Sequence, residues 1–486
     1  MVTTTTALAA TVLTLAAFAA LGVAYSRGRV GDIESFLTAR DTAGAGTLTA
    51  TLIASSMGAW ILFAPAEAGA AFGGLAAVLG YALGSAIPLL AYAHLGPRIR
   101  QLIPEGHSLT EYARARYGRA MHAYVLCVSV AYMFVFLAAE LTGITGALAL
   151  VAGVPAWQTA ALVGGFVLLY TGYGGLTASM VTDTAQTLVL LPLLAVGFAG
   201  GILALGGPSE VHAAVAASNP QLLSPGFLPG VTFGVYVAVA ILGAEMLNQA
   251  WWQRIYAAQD DATLTRAFRV AAVAVVPMVL LAGLFGVAAA GLGVVGEGEA
   301  SIAFFLLVSE AFPEWVVLAV VLVAVLLVAS TADTLFNAIS SLVTADLSRL
   351  LDSPSDATLT RSARALTAVV ALAAAFVGAQ GYSVLAVFLT ADLLAAATFV
   401  PLLAGLYTPR LTGTGALASA LAGLLAGVAL FPLTPVALPL PRSFFNAFLA
   451  AAGVSALLTV VATRLSTARF DTARLADAGA LEVGDD

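Results

Sequence analysis

Thirteen apolar runs, each long enough to cross a bilayer, follow one another along this chain of 486 residues. A membrane-spanning helix needs about 20 apolar residues. Runs of this kind lie near 5–25, 46–66, 73–97, 120–150, 156–174, 182–206, 229–250, 267–293, 314–345, 362–380, 382–408, 413–432 and 443–465. With 61% apolar and 9% charged residues, the composition is typical of a polytopic membrane protein and not of a soluble enzyme. We predict an all-α membrane protein with 13 transmembrane helices.

The arginines are consistent with this count. The chain has no lysine, and all 19 of its basic residues are arginine. If the N-terminus lies outside, every arginine except Arg442 falls in a cytoplasmic loop or in the C-terminal tail, as the positive-inside rule requires. The first run lacks a basic region before it and is followed by Arg27 and Arg29, which indicates a retained span and not a cleaved signal. We therefore expect a multi-pass protein of the plasma membrane with a cytoplasmic C-terminus.

Several classes of function are disfavoured. One cysteine, Cys127, excludes a disulfide framework and a thiolate metal site, and the four histidines show no ligand spacing. No basic face for nucleic acid is present. No phosphate-binding loop, nucleophile elbow or zinc pattern is present. We expect no enzyme activity, no use of ATP and no nucleic-acid partner; the expected partners are a small-molecule solute and membrane lipid, with the oligomeric state left open.

The run 314–345 changes character half-way along. Its first part is apolar, and polar side chains then follow at short intervals: Ser330, Thr331, Asp333, Thr334, Asn337, Ser340, Ser341 and Thr344. Hydrocarbon offers such groups no hydrogen-bond partner, so they must face protein, water or an ion. Ser330 and Thr331 are candidate ligands of a sodium ion. The alternative is that both hydroxyls bond to carbonyls of their own helix.

Two runs contain residues that interrupt helices. The second run holds Ser55, Ser56, Gly58 and Pro65, and the seventh holds Gly243, Glu245, Asn248 and Gln249. Broken helices at corresponding positions of two halves indicate a transporter site built by inverted repeats. The alternative is that glycine and serine only allow close helix packing.

Four stretches in chain order carry a resemblance to a known family. They are Tyr170–Ala178 (YTGYGGLTA) continuing to Thr182, Asp183 and Gln186; Asn248–Arg254 (NQAWWQR) followed by Ala257 and Ala258; Ser330–Asp333 (STAD) continuing through Ser340 and Ser341 to Asp346; and Pro401–Leu406 with Arg410, Gly415 and Ala416. Together they resemble the sodium:solute symporter family, which includes sodium/proline, sodium/pantothenate, sodium/glucose and urea symporters. The resemblance covers nearly the whole chain.

This resemblance implies a LeuT-like fold in a single transporter domain spanning residues 1–486. Two inverted five-helix repeats would occupy 46–206 and 229–408. An extra first helix would lie at 5–25, two extra helices at 413–465, and a short cytoplasmic tail at 466–486.

The resemblance also implies a sodium site between the broken second span and the ninth. The ligands would be the carbonyls of Ala54, Met57 and Leu327 and the hydroxyls of Ser330 and Thr331. The chemistry agrees, because a hard cation prefers oxygen ligands, and carbonyls and hydroxyls supply them without a buried fixed charge. Positions 327, 330 and 331 share one helix face.

Acids within membrane spans need a reason, because each costs about 2.5–3.5 kcal/mol on insertion scales. We expect Asp183, Asp333 and Asp392 to belong to an ion path or gate; for Asp183 the alternative is an N-cap of its span. Glu140 could line the cavity or bind an arginine. A second group of side chains is expected to border the solute: Ser56, Trp60, Glu245, Asn248 and Gln249.

The favoured function is sodium-coupled uptake of a small organic solute by alternating access. Candidate solutes are an amino acid such as proline, urea, or a vitamin or other carboxylate, although Glu245-Met246-Leu247 replaces the aromatic cluster of the sodium/proline branch and puts proline in doubt. One alternative is a proton-coupled symporter of the same fold that uses Asp333 or Glu245. Another is a transporter-like membrane sensor, which the lack of histidine and nucleotide motifs after Arg464 disfavours.

Overall fold

The computed structural model describes residues 3–27, 38–348, 356–434 and 439–476, and within them every regular element is a helix. The α-helices in chain order are α1 (Thr4–Ser26), α2 (Ala45–Ser56), α3 (Trp60–Glu67), α4 (Gly74–Leu102), α5 (Leu109–Tyr117), α6 (Arg119–Ala152), α7 (Ala156–Ala204), α8 (Pro208–Ser218), α9 (Leu228–Met246), α10 (Gln249–Ala257), α11 (Asp261–Gly291), α12 (Ala303–Ala311), α13 (Glu314–Ser348), α14 (Asp356–Gly378), α15 (Val384–Ala404), α16 (Gly413–Leu430) and α17 (Phe444–Leu465). A π-helical turn, Ala68–Gly73, joins α3 to α4. Arg29, Arg349 and the last part of the tail, 477–486, lie outside the described residues.

All of the predicted apolar runs fall on these helices, so the all-α architecture is confirmed. The count of thirteen spans stays a prediction. By length and hydropathy, ten helical stretches of the described chain qualify as membrane spans, and three apolar helices are shorter: Ala156–Leu169, Ala300–Ala311 and Arg364–Gly378. The segment Ala300–Ala311 lies between two predicted runs and was not among them.

The predicted runs 156–174 and 182–206 correspond to two helical segments of α7, which meet at a kink at Gly175. Gly175 has φ 54° and ψ −146°, a conformation that a residue with a β-carbon rarely adopts. The double glycine of the sequence motif thus marks the kink between two helical segments, in agreement with the predicted division of this region into two runs.

Large apolar side chains cover the outside of the helix bundle. Leu188, Val273, Leu372, Phe376 and Leu425 are between 71% and 73% exposed. Apolar surface on this scale is unfavourable in water and is typical of contact with lipid or a partner. The hydroxyl-rich half of α13 is the opposite case, since Ser330, Thr331 and Thr334 are buried inside the bundle.

The centre of the bundle is held together by close backbone contacts. Helix α4 packs along both α9 and α11. A β-carbon added to Gly80 in α4 would lie 2.2 Å from the Cα atom of Gly234 in α9. The two helices therefore approach backbone to backbone, as small residues allow in membrane bundles.

Replacing Gly80 with alanine should lower the melting temperature of the detergent-solubilised protein, because the added methyl group forces α4 and α9 apart. Overpacking of this kind costs about 1–3 kcal/mol. The matched control is Gly165→Ala in α7, where a β-carbon meets nothing within 4 Å. The control should be neutral or slightly stabilising, since alanine favours helix by about 1 kcal/mol over glycine. Equal melting temperatures for the two variants would contradict the close contact.

Candidate ion and solute site

The predicted interruption of the second span is present between α2 and α3. Helix α2 ends at Ser56 and α3 begins at Trp60. The backbone N–H groups of Ala59 and Trp60 donate to the carboxylate of Glu140 in α6, with N···O distances of 2.7 and 3.3 Å. A helix start leaves such N–H groups without helical partners and carries partial positive charge, so a carboxylate stabilises it. Glu140 therefore supports the break, and no bond from it to an arginine appears among the described contacts.

The predicted interruption of the seventh span lies between α9 and α10. The hydroxyl of Tyr92 donates to the carbonyls of Glu245 and Met246, at 3.1 and 3.3 Å. The side chain of Asn248 accepts from the N–H of Ala250 at 3.0 Å and caps α10. Both breaks thus have side-chain partners for backbone groups that the helices leave unpaired, as the low-dielectric interior of a membrane protein requires.

Helix α13 contacts the first break through Thr331 and Thr334. The hydroxyls of Ser55 and Thr334 are 3.0 Å apart. A β-carbon on Gly58 would lie 2.7 Å from Oγ1 of Thr331. This Thr331 oxygen is buried and has no hydrogen-bond partner in the described part of the chain. An orphaned buried hydroxyl is costly unless another ligand reaches it.

The other proposed ligands fit the same role. Ser330 donates its proton to Oδ1 of Asp183 at 2.6 Å, which leaves the lone pairs of its oxygen for a cation. The Ala54 carbonyl accepts from the N–H of Met57 at 3.1 Å and keeps a second lone pair. Met57 lies in the break with φ −116° and ψ 77°, outside helical geometry, and Leu327 lies one turn before Ser330 in α13. The donor set consists of neutral oxygens, which suits Na⁺.

A buried arginine, which the sequence analysis placed in a cytoplasmic loop, lies beside this region. Arg254 in α10 is fully buried, and its Nη2 atom lies 2.9 Å from Oγ of Ser55, 3.0 Å from Oγ1 of Thr334 and 3.4 Å from Oδ2 of Asp183. Thr51 donates to the same Asp183 oxygen at 2.5 Å. Arg254 thus joins α10 to α2, α7 and α13 through a single guanidinium group.

Two of the three predicted gate acids, Asp183 and Asp333, bond to side chains of neighbouring helices, and the third, Asp392, lines a cavity. Asp183 lies inside α7, so the alternative that it caps the start of a span is wrong, because α7 is helical on both sides of it. Asp333 accepts from Ser179 and Thr182 of α7 at 2.7 and 3.2 Å and joins α13 to α7. Asp392 of α15 is the one that lines the cavity.

This cavity lies between α2, α3, α4, α6, α9, α10, α11 and α15 and has a volume of about 50 Å³. Its polar and aromatic lining consists of Ser55, Ser56, Trp60, Tyr81, Ser85, Tyr132, Phe136, Glu245, Trp251, Phe388 and Asp392. Of the residues predicted to border the solute, Ser56, Trp60 and Glu245 line it.

The other two predicted solute residues do not line the cavity. Asn248 donates to Glu245 at 3.0 Å and so supports a lining residue. The amide of Gln249 accepts from the N–H of Leu109 at 2.9 Å and donates to the carbonyl of His107 at 2.7 Å. Gln249 therefore ties the break to the segment before α5, because both ends of its amide are used there.

Much of the aromatic lining of the cavity was not predicted from the sequence. Tyr81, Tyr132 and Phe388 lie on α4, α6 and α15, and Trp251 lies one turn into α10. Nothing in the local sequence distinguishes these rings from ordinary core aromatics. Trp251 was within reach of prediction, because it lies inside the quoted NQAWWQR stretch.

The arrangement of helices is that of known membrane transporters. A Na⁺-coupled sialic acid symporter, solved in a substrate-bound outward-open state, superposes with a TM-score of 0.77 at 16% identity and covers 95% of this chain and 98% of that chain. Mhp1, a nucleobase-cation-symport-1 family transporter solved in a closed conformation, gives a TM-score of 0.58 at 16% identity over 91% of this chain and 99% of that chain. The LeuT-like fold is confirmed.

Residues 36–423 match the family model described as "SSF: Sodium:solute symporter family". The chain is therefore a multi-span membrane protein of the transporter class, and it belongs to that family.

Curated relatives match parts of the chain. The spermidine transporter DUR31 of Candida albicans is 29% identical over 65% of this chain and 60% of its own length. The urea active transporter of Saccharomyces cerevisiae is 25% identical over 48% of this chain and 33% of its own length. The sodium/pantothenate symporter of Escherichia coli is 30% identical over 43% of this chain and 45% of its own length. The matched regions thus span between a third and three fifths of these relatives.

The buried pair Asp183–Arg254 predicts strong coupling in a double-mutant cycle. Asp183→Asn or Arg254→Gln alone should lower the melting temperature sharply, because each leaves one buried charge unpaired, at a cost of about 3–5 kcal/mol. The double variant should lose much less than the sum. Melting of the detergent-solubilised proteins measures this.

The control for the cycle is the pair Arg100–Asp41, which has an N···O distance of 2.8 Å and side-chain exposures of 19% and 56%. Exposed pairs contribute about 0–1 kcal/mol. Asp41→Asn, which changes the more exposed member of the pair, should therefore change the melting temperature little. Additive losses at Asp183 and Arg254 would contradict direct pairing.

Proposed function

We propose that the protein is a sodium-coupled symporter, and not an enzyme, that carries a small organic solute across the plasma membrane by alternating access. The observation that carries the proposal is the buried, unpartnered Thr331 hydroxyl where α13 contacts the break between α2 and α3. It supports a sodium site formed by Ala54, Met57, Leu327, Ser330 and Thr331.

The ion and the solute are linked through α2. Ser55 and Ser56 line the solute cavity and lie between the proposed ion ligands Ala54 and Met57. Because α13 supplies the remaining ligands, bound sodium holds α2 and α13 together and stabilises the arrangement that receives the solute. Each positive charge that enters down a membrane potential adds about 2.3 kcal/mol per 100 mV to the driving force.

The proposed topology follows the two breaks. Repeats at 46–206 and 229–408 would each begin with a broken helix, α2–α3 and α9–α10. The extra helices α1, α16 and α17 would flank them. We place the N-terminus outside and the C-terminus in the cytoplasm, on the arginine distribution.

The relatives do not agree on the charge of the solute. Their names specify spermidine, urea and pantothenate, which are an amine, a neutral amide and a carboxylate. These relatives therefore support a small organic solute but do not determine its charge.

Counterflow in proteoliposomes tests the function. The purified protein should exchange at least one member of a panel of amines, amino acids, urea, pantothenate, sugars and monocarboxylates, and exchange should require sodium. Transport driven by a pH gradient in sodium-free medium would favour the proton-coupled alternative, which would use Asp333 or Glu245.

Sodium binding should raise the melting temperature of the protein. Ser330→Ala and Thr331→Ala should each increase, by about tenfold, the sodium concentration that gives half of this rise, because the loss of one oxygen ligand to the ion removes about 1.5 kcal/mol. The measurement is the melting temperature as a function of NaCl concentration, with KCl added so that the total ionic strength stays constant. Ser419→Ala is the control, since that hydroxyl bonds only the carbonyl of Gly415 in its own helix at 2.8 Å. An unchanged sodium response in both test variants would refute the ion site.

A further inference from the structure

Two carboxylates face the same small cavity. Glu245 comes from the end of α9 and Asp392 from the middle of α15, and both line the space beside Trp60. Two ionised acids in one desolvated site are unfavourable unless a positive charge joins them or one of them is protonated.

The lining itself supplies no such charge. None of the lining residues that the structure describes is an arginine or a histidine. The buried guanidinium of Arg254 contacts the lining residue Ser55 but is directed at Asp183 and the hydroxyls around it, and it does not itself line the cavity. The cavity therefore has two carboxyl groups and no cationic side chain in its described lining.

The carboxyl groups of Glu245 and Asp392 have different hydrogen-bond partners. Glu245 accepts from the hydroxyl of Tyr132 at 2.9 Å, from Nδ2 of Asn248 at 3.0 Å and from Nε1 of Trp251 at 2.5 Å. Three donors fix its position and favour an acceptor-only carboxylate. Asp392 is 5% exposed, and its Oδ1 atom is buried with no hydrogen-bond partner in the described chain. Asp392 thus has capacity for a donor that the protein does not provide.

Aromatic rings form the remaining walls. Trp60 stacks on Tyr81 with ring centroids 5.7 Å apart, and Phe136 packs edge-on against Phe388 at 4.9 Å. Ring faces attract organic cations and also bury methylene groups. The cavity volume of about 50 Å³ favours a small solute over a large one.

We propose that the solute is a short aliphatic amine, and specifically a diamine, whose two ammonium groups bind Glu245 and Asp392 while its methylene chain lies against the aromatic walls. This assignment rests on the proposed transport function, but binding can be tested without transport. Three donors on each ammonium group match the open acceptors of Asp392.

The test measures binding to the full-length purified protein, by ligand-induced rise in melting temperature and by calorimetry in NaCl. The probes are a matched series: 1,3-diaminopropane, 1,4-diaminobutane and 1,5-diaminopentane, with 1-aminobutane, 1,4-butanediol and succinate as mono-cationic, neutral and anionic counterparts. The wild type should bind at least one diamine tenfold or more tightly than 1-aminobutane, and should not respond to 1,4-butanediol or succinate. Equal binding of the diol, or a preference for succinate, would overturn the proposal.

Asp392→Asn tests the proposal more directly than Glu245→Gln. The asparagine amide has nearly the same shape as the carboxyl group, and Oδ1 of Asp392 has no hydrogen-bond partner in the described chain that the change would remove. It should keep the melting temperature of the free protein and reduce the preference for diamine over 1-aminobutane at least tenfold. Glu245→Gln should weaken both amines, and Glu297→Gln on an exposed loop should change neither. An unaltered diamine preference in Asp392→Asn would refute the assignment even if Glu245→Gln fails to fold.

Transport assays distinguish the proposed diamine binding from the proposed sodium-coupled transport. Diamine binding without sodium-dependent flux in proteoliposomes would support the cavity assignment and refute the symport function. Sodium-dependent flux of urea, proline or pantothenate without diamine binding would do the reverse.

Discussion

Backbone groups that are released where a membrane helix is interrupted have to find partners inside the protein. This constraint organises the structure. The freed amides at the start of α3 bond to Glu140, and the freed carbonyls at the end of α9 bond to Tyr92. Since these partners lie on α6 and α4, each break determines where two other helices must pack.

A second consequence is that the breaks create polar space at the centre of an apolar bundle. Near the first break, the space is lined by neutral oxygens, including the orphaned hydroxyl of Thr331. Near the second break, it is lined by the carboxylate of Glu245. Neutral oxygens suit a small inorganic cation and a carboxylate suits an ammonium group, so the two proposed sites would differ in the chemistry of the cation that they bind.

The pair Asp183–Arg254 lies at the junction of the helices that form these sites. It is fully buried and contacts hydroxyls from α2 and α13. A buried ion pair adds little net stability over apolar packing, but it penalises any arrangement that separates its members. Asp183 also holds Ser330, so the pair and the proposed ion site share one carboxylate.

Much of this could be read from the residues in order. Apolar run length predicted the helices, and glycine, serine and asparagine within two runs predicted the breaks, because lipid tolerates neither polar side chains nor free backbone groups without a local reason. The hydroxyl pair Ser330–Thr331 was recognisable for the same reason, and the ordered motifs indicated the family that the match over residues 36–423 established. These are properties of single segments, and a segment carries them in its own sequence.

Only the tertiary structure decided which distant residues meet. Arg254 followed a break and counted as a loop residue, yet packing buries it against Asp183, 71 positions away in the chain. Gln249 matched the expected solute site, and its amide instead ties the break to the residues before α5. Glu245 and Asp392 become a pair only because α9 and α15 pack together. Charge pairing and cavity shape depend on which helix faces are in contact, and no segment encodes the identity of its neighbours by itself.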